Sequence, residues 1–267
     1  MKNVPVVCYL FTCFDDINSL KNFKNNYLKF DAGLDHDLVI CFKLLESKQV
    51  QNIVKELTDI KFHNFEDSFN KNDFDFGSYK RVSEKYIDRD IFFLNSHSYP
   101  LCNNWLKLIM FHKDDNNLIG TSASYESILE SIKIKKKYKF FSYLLNIFKF
   151  KKNFPSFPNP HIRTSSFLIK SNIFLDFIYN KKINSKFDAW KIESGNDSLT
   201  NFFKKKGLSV YIVNSEGKKF IEKDWMSSET YCYSRQLKSI ISDKHTRKYH
   251  ALSKKNQILT QLKIWGK

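Results

Sequence analysis

Two short clusters in this chain have residue types suited to ligand chemistry. The first is Asp75-Phe76-Gly77 within the turn-like run Asp73 to Ser78. A carboxylate such as Asp75 can accept hydrogen bonds from a base or a ribose hydroxyl, and Gly77 permits a close backbone approach. The second is Asn95-Ser96-His97-Ser98, directly after the apolar run Ile91-Phe92-Phe93-Leu94. A polar tetrad after an apolar strand is where an open α/β sheet receives ligands, at the carboxyl ends of its strands. Together they offer a wall for a base and ribose and a polar ledge for phosphates. The same residues are also consistent with a capped helix feeding a buried strand.

The elements that must position these clusters are legible as alternating patterns. Val4 to Phe11 reads as a first buried strand, and Asp16 as the N-cap of a helix over Ile17 to Leu28. Leu38 to Phe42 is a second strand. A helix over Lys48 to Leu57 follows, with a third strand at Lys61 to Phe65. Tyr79, Val82 and Tyr86, at i, i+3 and i+7, predict a helix after the turn at Asp73 to Ser78. The run at 91–94 is short and bulky, as in a buried strand. Beyond it come a helix over Trp105 to Phe111, strands over Leu118 to Ala123 and up to Ile169, and a helix over Ile173 to Asn180. Asp188 to Asp197 opens a helix over Ser198 to Lys206 capped by Gly207, and Val210 to Val213 is a final strand. This order predicts an α/β fold with an open, mostly parallel sheet and helices on both faces.

Composition narrows the class. The chain has 267 residues, 42% hydrophobic and 16% aromatic, with only seven glycines and five prolines, so a full core is within reach. It reads as a single domain over 1–267, with a basic aromatic insertion at about 128–158 and a helical tail at about 224–267. The insertion carries eight lysines interleaved with aromatic and aliphatic residues. Its stretch 131–152 suits an amphipathic helix on an anionic membrane surface, or an insertion packed on the domain with its lysines solvated. No apolar run reaches the length of a spanning helix. Five cysteines without CxxC spacing imply neither disulfides nor a zinc site and a reducing, cytoplasmic setting. The net charge of +16 fits an anionic partner, or merely the joint enrichment of Lys, Asn, Ile and Phe that AT-rich coding produces. No recognisable nucleic-acid module is present, so nucleic acid is not the expected partner.

Six segments, in order, resemble nucleotide-sugar glycosyltransferases of the GT-A fold, in a bacterial branch similar to family-2-type and rhamnan-synthesis transferases. They are FDFGSYK (74–80), FFLNSHSYPLCNNWL (92–106), IGTSASYES (119–127), PSFPNPHIRTSSFLI (155–169), WKIESGNDSLTNFFKKKGLSVYIVNSEGK (190–218) and DKHTRKY (243–249). The resemblance implies transfer of a hexose or deoxyhexose from a nucleoside-diphosphate sugar to an acceptor hydroxyl, in surface polysaccharide or glycan assembly. The acceptor would be a glycan or a lipid-linked sugar. An inverting transfer needs one general base. In the resembled enzymes an acidic motif at the start of a late helix supplies it, which places Glu193 in that role with Asp197 as the alternative. Asp75, Gly77, Asn95, Ser96 and Ser98 would shape the donor site, and Tyr125 and Glu126 would meet the acceptor. Asp243, Thr246, Arg247 and Tyr249 would form a flap over the donor.

One departure stands out. Many GT-A enzymes hold Mg²⁺ or Mn²⁺ with an Asp-x-Asp pair at the strand end, because a hard dication takes carboxylate oxygens. Here the pair is replaced by Asn95-Ser96-His97-Ser98. Three options remain: a metal held by Asn95, Ser98 and water; His97 as a metal ligand; or a diphosphate neutralised by His161, Arg163, Lys244 and Arg247. The alternative to an enzyme is a nucleotide- or glycan-binding protein on the same fold, or a basic membrane-associated binding protein.

Overall fold

A computed structural model describes residues 4–69, 72–135 and 140–266. Strand β1 (Val6–Thr12) leads into α1 (Ile17–Lys29), whose N-cap Asp16 accepts from the Asn18 N–H. β2 (Asp37–Lys43), α2 (Ser47–Lys55) and β3 (His63–Asp67) repeat the pattern. Then α3 (Phe74–Lys85) leads to β4 (Asp90–Leu94). β5 (Tyr99–Pro100), α4 (Trp105–Met110), β6 (Asn117–Gly120) and β7 (Ala123–Ser124) follow. Helices α5 (Ile128–Lys135) and α6 (Phe140–Asn153) lie between β7 and β8 (His161–Ile162). β9 (Ser166–Lys170), α7 (Ser171–Ile178), α8 (Lys186–Ser194), α9 (Leu199–Lys205) and β10 (Ser209–Val213) complete the central part. The tail contributes β11 (Lys219–Phe220), β12 (Ile241–Ser242), α10 (Lys244–His250) and α11 (Lys254–Trp265).

The main sheet has eight strands in the order β11-β10-β6-β9-β4-β1-β2-β3. It is the open, mostly parallel sheet expected, with β9 and β11 running against the other strands. Both faces are buried, as parallel strands require. Val6, Cys8, Leu10, Ile91 and Phe93 pack with α3, α7 and α9 on one side. Val7, Tyr9, Phe11, Phe92 and Leu94 pack with α1, α2 and α4 on the other. Cys8 and Cys41 are fully buried and behave as small hydrophobes. Among the described residues no helix is long and apolar enough to cross a membrane.

Three local expectations change. The run Asp73 to Ser78 is not a turn before a helix; α3 already starts at Phe74 and contains Gly77. Gly77 makes room for a side chain: a Cβ there would lie 2.0 Å from Asp73 Cγ. The strand expected over Leu118 to Ala123 breaks after Gly120, where a Cβ would meet Ile162 at 2.7 Å. The chain then switches partner, and β7 pairs with β8 beyond the rim of the sheet. Finally, Glu193 is not part of the run that opens the helix after it, α9, which Ser198 caps. It lies in the last turn of a separate helix, α8, which Ser185 caps and Gly195 ends.

β9 has a positional consequence. Because it runs antiparallel to β4 and β6, its leading residues His161 to Ser165 arrive at the rim where the parallel strands end. The small β5–β12 ribbon brings Asp243 and α10 to the same rim, with Ser242 opposite Tyr99.

Candidate functional site

At that rim the end of β2 and the start of α3 are joined by a buried ionic network. The Lys43 ammonium donates to Asp73, to the Phe74 carbonyl at 2.9 Å and to Ser78 Oγ at 3.2 Å. The Arg81 guanidinium donates from Nε and Nη2 to the two Asp67 oxygens at 2.8 and 2.6 Å, and from Nη1 to Asp73 at 2.8 Å. Such a network tolerates burial only when each charge is paired and hydrogen-bonded. It fixes the first turn of α3 and thereby Asp75. Burial, then the neighbouring Asp15, then Glu193 raise the Asp75 carboxyl to about 6, with Lys43 opposing.

The ends of β1 and β4 meet beside it, where the sheet order reverses. Asp15 Oδ2 accepts from the Thr12 N–H at 2.9 Å and the Thr12 hydroxyl at 2.7 Å, and Oδ1 accepts from Ser96 at 2.9 Å. The tetrad closes on itself. Asn95 Oδ1 accepts from the His97 N–H at 3.2 Å and from Ser98 Oγ at 2.7 Å. The His97 imidazole sits 3.6 Å from Asp15; burial pushes it below its ordinary value despite that carboxylate, and Lys244 and Arg247 add to the push. Arg247 donates to the His97 carbonyl at 3.0 Å and to Ser242 Oγ at 3.1 Å, and stacks over Tyr99. It lines a hollow of about 200 Å³ with Asp16, Asn18 and His97. A further hollow of about 370 Å³ lies at the ends of β1 and β2, lined by Thr12, Cys13, Asp15, Leu45, Gln49 and Glu56 among others.

A hard dication at the end of β4 would need open carboxylate or carbonyl oxygens. Both Asp15 oxygens and Asn95 Oδ1 already accept from protein donors. Among the described residues no group of three or more His, Cys, Asp or Glu is arranged to hold a metal ion. The end of β4 therefore presents the neutral oxygens of Asn95, Ser96 and Ser98, with Asp15 as the carboxylate beside them.

A second assembly of polar and titratable groups lies farther along the rim. A cavity of about 370 Å³ is walled by Ser124 and Glu126 after β7, His161 and Arg163 around β8, Trp190 and Glu193 of α8, His245 of α10 and Lys263 of α11, together with Ile128, Ser131, Ser194 and Tyr231. Glu193 Oε1 accepts from the Thr164 hydroxyl at 3.0 Å and the Thr164 N–H at 3.3 Å, which orients the carboxylate. Arg163 is buried. Its Nη1 donates to Asp243 at 2.6 Å and to Ser122 at 3.1 Å, and its plane lies 3.7 Å over the Tyr231 ring. Burial acts to raise the Asp243 carboxyl, but Arg163, the Thr246 N–H and Ser165 outweigh it and hold it well below the usual carboxylate range. Asp243 also N-caps α10, so one carboxylate ties the tail to the cavity wall. Glu126 pairs with Lys263 at 2.6 Å and accepts from Ser131 at 3.0 Å. Burial raises its carboxyl, and these partners more than offset the rise.

His161 is 7% exposed, and its Nδ1 lies 2.7 Å from the Asn159 carbonyl. Burial lowers its pKa, outweighing the opposing pull of Glu193, the Asn159 carbonyl and Glu126; Arg163 adds to the lowering.

The structure thus brings Glu193, Glu126, His161 and Arg163 to one cavity, and Asn95, Ser96, His97, Ser98 and Arg247 to the neighbouring crevice. It leaves others apart. Asp197 is exposed and pairs with Lys205 at 2.7 Å. The Tyr125 hydroxyl donates to the Glu222 carbonyl, while its ring packs on Trp225 and Trp265. Thr246 and Tyr249 are buried, whereas Lys244 is exposed on α10 and near enough to the tetrad to act on the His97 imidazole. Sequence reasoning missed His245, Lys263 and Trp190 in the cavity and the Lys43–Asp73–Arg81 network. Only Lys43 left a signal, as a lysine closing an otherwise apolar strand.

No protein-family model and no curated protein matches the chain. Solved structures do. The apo bifunctional glycosyltransferase WbbM is 11% identical with a TM-score of 0.42, over 73% of this chain and 38% of WbbM. HddC from Yersinia pseudotuberculosis is 13% identical with a TM-score of 0.42, over 75% of this chain and 97% of HddC. The apo glycosyltransferase GlyE from Streptococcus pneumoniae TIGR4 is 12% identical with a TM-score of 0.43, over 78% of this chain and 44% of GlyE. The chain therefore spans less than half of WbbM and of GlyE.

Proposed function

We propose that this protein is a glycosyltransferase that moves a hexose or deoxyhexose from a nucleoside-diphosphate sugar to an acceptor hydroxyl with inversion, in surface polysaccharide or glycan assembly. The observation that carries the reading is Glu193, a carboxylate oriented by Thr164 and facing a cavity at the rim of an open α/β sheet. Ligands of such sheets bind where the strand order reverses, here between β1 and β4. The hollow at the ends of β1 and β2 takes the base and ribose beside Asp75. The diphosphate lies along the turn at 95–98, facing Arg247 and Lys244. Glu193 removes the proton of the acceptor hydroxyl. The oxygen attacks the anomeric carbon, and the bond to the diphosphate breaks with its electron pair leaving on the phosphate. General-base assistance of this kind contributes roughly 10²–10⁴ in rate.

The acceptor is proposed to be lipid-linked and met at the inner face of an anionic membrane. The 131–152 segment invoked for that contact lies partly outside the described residues. In its described part, Ile147 and Phe150 pack with Leu129, Phe154 and Trp190. Leu144 and Phe148 are exposed beside Lys149, Lys151 and Lys152. Apolar side chains among lysines suit an anionic lipid surface.

The self-closed turn at 95–98, which carries no carboxylate of its own, favours a second reading: a nucleotide- or glycan-binding protein without transfer. A panel of nucleoside-diphosphate sugars, assayed with wild type and Glu193→Gln, separates them. Product with wild type and its loss in the variant supports transfer. Thermal stabilisation by nucleoside diphosphates without product from any donor supports the binding protein.

A further inference from the structure

The cavity at β8 and α8 is cationic only on paper. Arg163 is held by Asp243, and Lys263 by Glu126. Each cation therefore has a carboxylate of its own, and a phosphate entering here would have to compete with it. The remaining cavity groups are of another kind. The Asn159 carbonyl can only accept, so His161 Nδ1 must carry the proton, and in the neutral ring Nε2 then presents a lone pair. Among the described residues Nε2 has no protein partner, although the side chain is more than nine-tenths buried on the cavity wall. Glu193 adds a second acceptor, held by Thr164 on Oε1. The groups facing His161 are Glu193, Glu126, Arg163, His245 and Lys263. Trp190 contributes an aromatic wall to the same space. Nε2 is open to the cavity, where only a ligand or water can satisfy it. Two acceptors beside an indole match an uncharged ring carrying several hydroxyls.

We propose that this cavity is a subsite for a neutral sugar ring of the acceptor, and that His161 is a substrate-binding residue that accepts a hydrogen bond from a ring hydroxyl through Nε2. The identification of that sugar as the acceptor rests on the transferase reading above; hydroxyl recognition by His161 does not. The diphosphate is accordingly bound elsewhere, along the β1–β4 crevice.

The test is imidazole ¹⁵N NMR on the full chain at neutral pH, with His161 assigned by comparison with His161→Gln. The probes are methyl glycosides of glucose, galactose, mannose and rhamnose at millimolar concentration, with inorganic pyrophosphate as the anionic counterpart. The expected result is a neutral ring protonated on Nδ1, whose Nε2 resonance moves towards the hydrogen-bonded range with at least one glycoside and stays put with pyrophosphate. His161→Phe then weakens that glycoside roughly tenfold, the loss of one hydrogen bond to a buried group, while His161→Gln, which keeps an acceptor oxygen, weakens it less. An imidazolium, a ring protonated on Nε2, a response to pyrophosphate alone, or no response to any glycoside overturns the proposal. Glycoside binding is read without a donor. Failure of transfer with every nucleotide sugar therefore sinks the transferase reading and leaves the subsite intact; transfer by a protein whose His161 ignores every glycoside sinks the subsite alone.

Discussion

The crevice between β1 and β4 and the cavity at β8 and α8 share one rim, yet they treat their polar groups in opposite ways. In the crevice, Asn95, Ser96, Ser98 and Asp15 satisfy one another. In the cavity, Arg163 and Lys263 are matched by carboxylates, but His161 Nε2 faces open space beside Glu193. The first arrangement makes a rigid edge that a ligand can lie against. The second leaves acceptors that only a ligand or water can satisfy, which is how a site obtains specificity for hydroxyls.

This contrast breaks most visibly at Glu193. Glu193→Gln keeps the shape and the hydrogen bond from Thr164 and removes the basicity. Transfer should fall by roughly 10²–10⁴, with the unfolding midpoint nearly unchanged. Full activity in the variant would move the base elsewhere on the rim. A stability loss comparable to that of a buried ion pair would show that Glu193 serves the fold.

Asp243 sharpens the other half of the cavity. Asp243→Ala leaves the buried Arg163 unpaired and uncaps α10, and should cost about 3–5 kcal/mol in denaturant unfolding. The wild-type contribution has a defined pH window. The Asp243 carboxyl is depressed in the folded state, so its stabilisation is present above the unfolded carboxylate pKa of about 3.9 and is lost as pH falls through the folded value. A variant with unchanged stability would mean that the tail does not depend on this pair.

Asn95→Ala tests whether the crevice is an edge or a ligand shell. Removing Oδ1 orphans the His97 N–H and leaves the Ser98 hydroxyl with the Ser165 carbonyl, 3.1 Å away, as its acceptor; stability should drop by about 1 kcal/mol. Nucleotide affinity, measured where the variant is fully folded, should stay close to wild type if Asn95 acts by building the turn. A loss of nucleotide binding at unchanged stability would instead put the amide on the donor.

How much of this was visible in the sequence follows from the range of the interactions. β1, β2 and β4 were legible because they are apolar on both faces, and the Asp16 cap and the Gly207 stop because their chemistry is local. The tetrad at 95–98 announced itself because its four residues are consecutive. The cavity did not, since β7, β8, α8, α10 and α11 each supply one to three residues from widely separated segments. His161 was readable as a candidate, but the proton on Nδ1 follows only from the Asn159 carbonyl. The misread start of α3 has a specific cause: Gly77 looked like a turn glycine, and its real partner, the Asp73 side chain, is drawn over the helix by Lys43 and Arg81.

The smallest expected effect lies at Asp75, which stands between the two regions and senses carboxylates of both: Asp15 in the crevice and Glu193 in the cavity. Its folded pKa of about 6 exceeds the unfolded value, so the folded state binds the proton more tightly. The associated stability is fully present below about pH 3.9 and is lost as pH rises through about 6. Asp75→Asn cannot ionise. Its unfolding free energy should match wild type at acid pH and exceed it increasingly towards neutrality, by on the order of 1 kcal/mol once screening of this half-buried group is allowed for. A carboxylate that destabilises the fold at neutral pH suits a ligand site better than a packing role. If Asp75 accepts from the ribose or base, Asp75→Asn will be the more stable protein and the weaker nucleotide binder, a trade expected at a ligand site. A variant that is more stable and binds nucleoside diphosphates equally well would remove Asp75 from the donor pocket and leave the base and ribose to the hollow between Thr12 and Gln49.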